Sequence, residues 1–177
     1  KQEGLLYVGT DDGLIQVSEN GGQAWRRIET FPGVPDLTYV SGLSASPHQT
    51  GTVYAAFNNH KNGDFRPYVL RSRDRGRSWE SLAANLPERG FVHVIKEDPV
   101  REGLLYCGTE FGFFFSLDAG KSWVKSGSLP TIAVRDLALQ ERERDLVLAT
   151  FGRGFYVLDD LTPLREATEA NLAKPAH

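Results

Sequence analysis

One eight-residue pattern recurs three times in this chain, and its residue types suit a tight turn at the tip of a β-hairpin. It reads Ser, any, Asp or Asn, any, Gly, any, any, Trp. The copies run Ser18, Asn20, Gly22, Trp25; Ser72, Asp74, Gly76, Trp79; and Ser116, Asp118, Gly120, Trp123. The Asp or Asn side chain can accept backbone N–H bonds inside the turn. The Gly suits a left-handed backbone that other residues resist, and the Ser hydroxyl can add a local bond. The Trp covers the hairpin and its N–H seeks a polar partner. The tryptophans lie 54 and 44 residues apart. A second marker keeps step with the first: Leu5 to Thr10, Thr52 to Phe57, Leu104 to Thr109 and Leu146 to Phe151.

Between the markers the chain is short-period, β-rich and broken by Gly, Pro and Asp, a strand-and-turn signature. With the strands of each unit lettered A to D, strand A is expected at 37–44, 91–96 and 134–139, and strand C at 14–17, 68–71, 113–116 and 155–158. Strand B is the second marker, and strand D begins near each Trp. Four short antiparallel strands every 40–50 residues is the period of a β-propeller blade. The first unit lacks its strand A and the last has neither the Trp turn nor strand D. The expectation is therefore an all-β partial propeller: an arc of about four blades, fourteen antiparallel strands, with incomplete first and last blades. Residues 1–161 hold the blades. Residues 162–177 are expected to form a C-terminal helix or linker, with Thr162 as N-cap and Pro163 at the first position. The uncovered blade faces of such an arc call for the remaining blades of a longer parent chain, or a second copy. The absence of methionine and the opening Lys-Gln-Glu-Gly read as an excised or processed segment.

Composition narrows the function. A formal net charge of −3 with scattered Lys and Arg offers no field for a phosphate backbone, so nucleic acid is not expected. No apolar run approaches the roughly 18 residues of a membrane span. The single cysteine, Cys107, reads as a small core residue. Each Ser-x-Asp-x-Gly turn brings at most one carboxylate, too few ligands for calcium. No histidine pair has metal-ligand spacing, so neither metal nor cofactor is expected.

The three turns match the Asp-box, or bacterial neuraminidase repeat, shared by sialidases, xyloglucanases, sortilin-type receptors and photosystem II assembly factors. Residues 5–165 more narrowly resemble the later propeller of bacterial sortilin-like proteins labelled glycosyl hydrolases. The likeness is carried by Gly9–Gly13, Phe65–Tyr68, Glu97–Pro99, Gly108–Glu110, Val134–Leu137, Thr150–Gly154 and Leu158–Leu164. It implies a propeller, and an extracellular or periplasmic setting. It does not settle activity, because enzymes and non-enzymes share these boxes. The Arg-Ile-Pro segment of sialidases is missing.

Strand alternation puts the B–C and D–A connections on one face and the Trp turns on the other. The B–C loops are polar: Asp11 and Asp12; Asn59, His60, Asp64 and Arg66; Glu110; Arg153. These are the candidate ligand residues, facing a possible glycan or peptide. Solvated loops are polar by default, which is the competing reading. Two functions stay open: a non-catalytic ligand-binding or scaffold module recognising protein or glycan, and a fragment of a glycoside hydrolase working through B–C carboxylates such as Asp12 and Glu110. His93 reads as channel-lining or packed.

Overall fold

A computed structural model describes residues 2–127 and 129–168. Its fourteen strands form four antiparallel sheets. The first is β1 (Leu6–Gly9), β2 (Ile15–Ser18) and β3 (Arg26–Ile28), holding positions B, C and D. The second is β4 (Tyr39–Ala45), β5 (Val53–Asn58), β6 (Tyr68–Ser72) and β7 (Glu80–Ser81). The third is β8 (Val92–Glu97), β9 (Leu105–Thr109), β10 (Gly112–Ser116) and β11 (Val124–Lys125). The fourth is β12 (Val134–Gln140), β13 (Asp145–Thr150) and β14 (Phe155–Leu158), holding A, B and C. Phase and strand count agree with the repeat. The first full strand A starts at Tyr39 rather than Leu37, because Leu37 sits at a φ of 58°, outside the extended range.

The sheets meet through their inner strands. Ser41 of β4 donates to Val92 O of β8 at 2.9 Å, and Lys96 of β8 donates to Leu137 O of β12. Small residues in strand B set how closely blades approach. A methyl group on Gly9 would lie 2.5 Å from Val40 Cγ1, and one on Gly108 would lie 2.6 Å from Val134 O. Three apolar clusters fill the three intervals between neighbouring sheets. Ile15, Val40 and Phe57 are in one, Val69, Ile95 and Phe114 in the next, and Tyr106, Phe113 and Leu148 in the third. Cys107 lies fully buried in the middle cluster, where burial pushes its thiol pKa up. The ends of the arc are open: Leu6 and Val8 of β1 are 42% and 43% exposed, Phe155 and Val157 of β14 75% and 50%.

The three Trp turns are built alike. Each Ser hydroxyl accepts the Gly N–H, at 2.8, 2.7 and 2.8 Å, and donates to the Asn or Asp side chain. Gly22, Gly76 and Gly120 have φ of 92°, 76° and 88°. Each turn also donates one N–H to its own A–B turn: Gly21 to Gly4 O, Arg75 to Gly51 O, Ala119 to Gly103 O. The tryptophans differ. Trp123 Nε1 donates to Leu82 O of the preceding blade at 2.7 Å, and Trp25 Nε1 donates within its own turn, to Gly22 O, at 3.0 Å. Trp79 Nε1 is buried without a partner, contrary to the expectation of a polar contact for each indole.

A short helix, α1 (Thr162–Glu166), follows the last sheet with Pro163 in its first turn. Thr162 is not its N-cap; Leu161 holds that position without a side-chain bond. Asp160, at a φ of 51°, instead accepts the Thr162 N–H and hydroxyl at 3.1 and 2.5 Å. The helix docks on the third blade: Arg165 Nε and Nη2 donate to Asp98, and Arg101 Nη1 donates to the carbonyls of Leu164, Arg165 and Ala167. The expected tail beyond 168 lies outside the described residues.

Candidate functional site

Each inner strand carries one register slip, and the three slips fall at matching places: between Val40 and Gly42 in β4, Val92 and Val94 in β8, and Val134 and Asp136 in β12. The residues inside the slips are Ser41, His93 and Arg135. A β-bulge leaves one residue unpaired and re-aims its side chain. All three line a single cavity of about 510 Å³ on the B–C and D–A face. That volume lies within the range of small-ligand cavities.

The walls come from the B–C loops. A threonine clasps three of them: Leu14 N donates to Thr10 Oγ1 at 3.0 Å, Thr109 Oγ1 to Gly112 O at 3.1 Å and Thr150 Oγ1 to Gly154 O at 2.7 Å. Asp11 enters the cavity from the first. Gly13 lets this turn press on the next blade, since a methyl there would meet Thr38 N and O at 2.9 Å. That contact sets Leu37, 72% exposed, at the rim beside Tyr39.

The long second B–C loop folds around its own amides. Asn58 Oδ1 accepts the His60 backbone N–H at 3.0 Å and stands 2.7 Å from His60 Nδ1, which donates its proton to it. The His60 ring stacks on Phe91 (5.1 Å between centroids, 16° between planes), and Phe91 meets His93 edge-on at 4.8 Å. His93 Nε2 lies 2.9 Å from Glu110 Oε2, and Arg135 Nη1 lies 3.5 Å from His93 Nδ1. Burial lowers the His93 pKa and Arg135 lowers it further, against the pull of Glu110. The imidazole is thus biased to neutral, donating to Glu110 and accepting from Arg135. Arg135 in turn lies 5.1 Å over the Phe151 ring.

Of the loop residues singled out from sequence, Asp11, Asn59 and His60 line this cavity, and Glu110 stands behind it on His93. Asp12 is taken up by the Thr10 hydroxyl. Asp64 binds Arg66 through both oxygens and the Tyr68 hydroxyl at 2.6 Å, which with the other partners outweighs burial and holds its carboxyl well below the usual range. Arg66 instead borders a separate, more apolar cavity beside Val34, Tyr68 and Leu86. Arg153 is exposed at the tip of the last B–C turn and is not among the residues lining the cavity. Sequence reasoning missed Ser41 and Arg135, and its reading of His93 as channel-lining or packed did not place it in a bulge. The available signal was the valine before each of the three.

The carboxyls that their surroundings shift are all shifted down: Glu19, Asp64, Asp74, Glu80, Asp98, Asp118 and Asp160. A general acid for glycoside cleavage needs the opposite shift. Among the described residues no group of three His, Cys, Asp or Glu side chains could hold a metal ion, and no helix is long and apolar enough to cross a membrane.

No family model matches the chain. It is 28% identical over 142 residues to xyloglucanase Xgh74A of Acetivibrio thermocellus, covering 73% of this chain and 17% of that enzyme. The GH74 enzyme of Niastella koreensis superposes with a TM-score of 0.73 at 16% identity, over 90% of this chain and 27% of the enzyme. YCF48 bound to D1 peptide superposes with a TM-score of 0.66 at 16% identity, over 89% of this chain and 48% of YCF48. These likenesses, with the four sheets, identify the fold as a partial β-propeller that does not close.

Proposed function

We propose that this arc is the ligand-binding part of a sortilin-like Asp-box propeller, recognising a glycan or protein at the cavity between its inner strands and doing no chemistry of its own. The observation that carries this is the row Ser41, His93 and Arg135. Three blades repeat the same bulge, and each turns its unpaired side chain into one polar cavity. Bulges that re-aim a side chain are over-represented next to active sites. The remaining blades of a longer chain, or a second copy, would cover the exposed ends, and an extracellular or periplasmic setting goes with the family likeness.

A second reading is favoured by the likeness to Xgh74A: a segment of a glycoside hydrolase acting on polysaccharide. Against it, Glu110 is engaged by His93 and Asp12 by Thr10. Calorimetric titration with oligosaccharides and peptides tests the first reading. It expects saturable binding that His60→Ala weakens about tenfold, the loss of one good hydrogen bond and one ring contact. Binding indifferent to His60, or none, rejects it. A sugar-release assay tests the second: activity that falls in both Asp12→Asn and Glu110→Gln would replace the binding reading with the catalytic one.

A further inference from the structure

We infer that the ligand of this cavity carries a carboxylate, received by Arg135, and that it is an acidic saccharide. The inference rests on the binding reading above. Six other arginines have a carboxylate partner at close range: Arg66 with Asp64, Arg71 with Glu80, Arg75 and Arg77 with Glu19, Arg142 with Glu143, and Arg165 with Asp98, all within 2.9 Å. Arg135 does not. Its closest carboxylate, Glu110, is 3.8 Å away and already bonded to His93 at 2.9 Å. The hydrogen bond found for its guanidinium among the described residues is the 3.5 Å contact to His93 Nδ1. Yet the group is held in place. The bulge aims it, its Cζ lies 5.1 Å over the Phe151 ring, and His93 and Glu110 flank its Nη1 and Nη2. A guanidinium over a ring, without a carboxylate partner of its own and lining a cavity, is suited to receive a carboxylate.

The rest of the cavity favours a sugar acid over a peptide terminus. Asp11 enters from the first blade and Arg135 from the fourth, so hydroxyl donors are wanted at one end and an anion at the other. Tyr39, 44% exposed, offers a ring face to sugar carbons at the rim. A peptide binding as an added strand would need a free strand edge. Here Ser41 and Lys96 already take Val92 O and Leu137 O along the inner strands.

The test is calorimetry of the whole chain with galacturonic acid trisaccharide, neutral galactose trisaccharide, and a pentapeptide with a free or amidated C-terminus. The acidic sugar should bind at least about tenfold tighter than the neutral one. Arg135→Lys, which keeps charge but loses the fork, should abolish that preference in a chain whose melting curve shows it still folded. Phe151→Leu should reduce it in part. Equal binding of both sugars overturns the carboxylate inference and leaves the binding reading standing. Tighter binding of the free peptide than of the acidic sugar, or a preference surviving Arg135→Lys, overturns the inference as well. Binding of none of the probes overturns the inference and counts against the glycan reading with it.

Discussion

Leu37 shows how a single residue reports on the site. Its φ of 58° places a branched, 72% exposed side chain in the left-handed region, at the rim of the cavity and against Gly13. Such a conformation costs a non-glycine residue on the order of 1–2 kcal/mol and persists where the surroundings impose it. Leu37→Asn should therefore raise unfolding free energy by about 1 kcal/mol in urea, and unchanged or lower stability would show that the backbone there is not strained. At this scale the sequence was legible where side chain and backbone answer each other locally. The Ser, Asn or Asp and Gly of each turn announce their bonds because donors and acceptors lie within four residues. Leu37 was not legible, since a Leu before a Thr-Tyr-Val run looks like a strand start and its turn is dictated by a glycine in another blade.

Within the elements, repetition carries both the agreement and the exceptions. The Trp turns recur with one hydrogen-bond plan, but Trp123 reaches Leu82 O of the preceding blade whereas Trp79 finds no partner. Trp123→Phe should then cost about 1–2 kcal/mol more than Trp79→Phe, the difference being one buried hydrogen bond. Equal costs by thermal or urea denaturation would deny that the third Trp turn clamps blade to blade. The inner-strand bulges explain why the site was harder to read than the fold. A plain strand alternates its faces residue by residue, and Val92, His93, Val94 fits that rhythm. The extra residue at 93 breaks the rhythm with no mark in residue type beyond the valine before it, and the same is true at Ser41 and Arg135.

Across the whole molecule, the fourth blade and α1 depend on a buried ion pair. Asp98 is fully buried and accepts from Arg165, Tyr106 and the Val100 and Arg101 amides. Burial favours its neutral form, but Arg165 and the N–H and O–H donors outweigh that and hold its pKa below the usual aspartate value. A lowered folded pKa stabilises above the ordinary value of about 4 and is lost as pH falls through the folded one. Asp98→Asn should cost about 3 kcal/mol at pH 7 and flatten the stability loss below about pH 4. A variant with the wild-type acid limb would remove Asp98 from that role. Blade number and phase could be read from the markers at this scale. Which loop tips meet could not, because that depends on the angle between blades, set by packing such as Gly108 on Val134.

The central claim is that four sequence-distant blades converge on one face. A nitroxide on Lys61→Cys tests it by NMR line broadening, since Cys107 is fully buried with its thiol pKa raised and should resist labelling. The backbone amides of Asp11, Tyr39, His93 and Arg135 should broaden strongly. Those of Asn20, Asp74 and Asp118, on the far face and separated by a strand length of roughly 17–20 Å, should stay sharper. Broadening confined to the sequence neighbours of Lys61, or strongest at the tryptophan turns, would contradict the account.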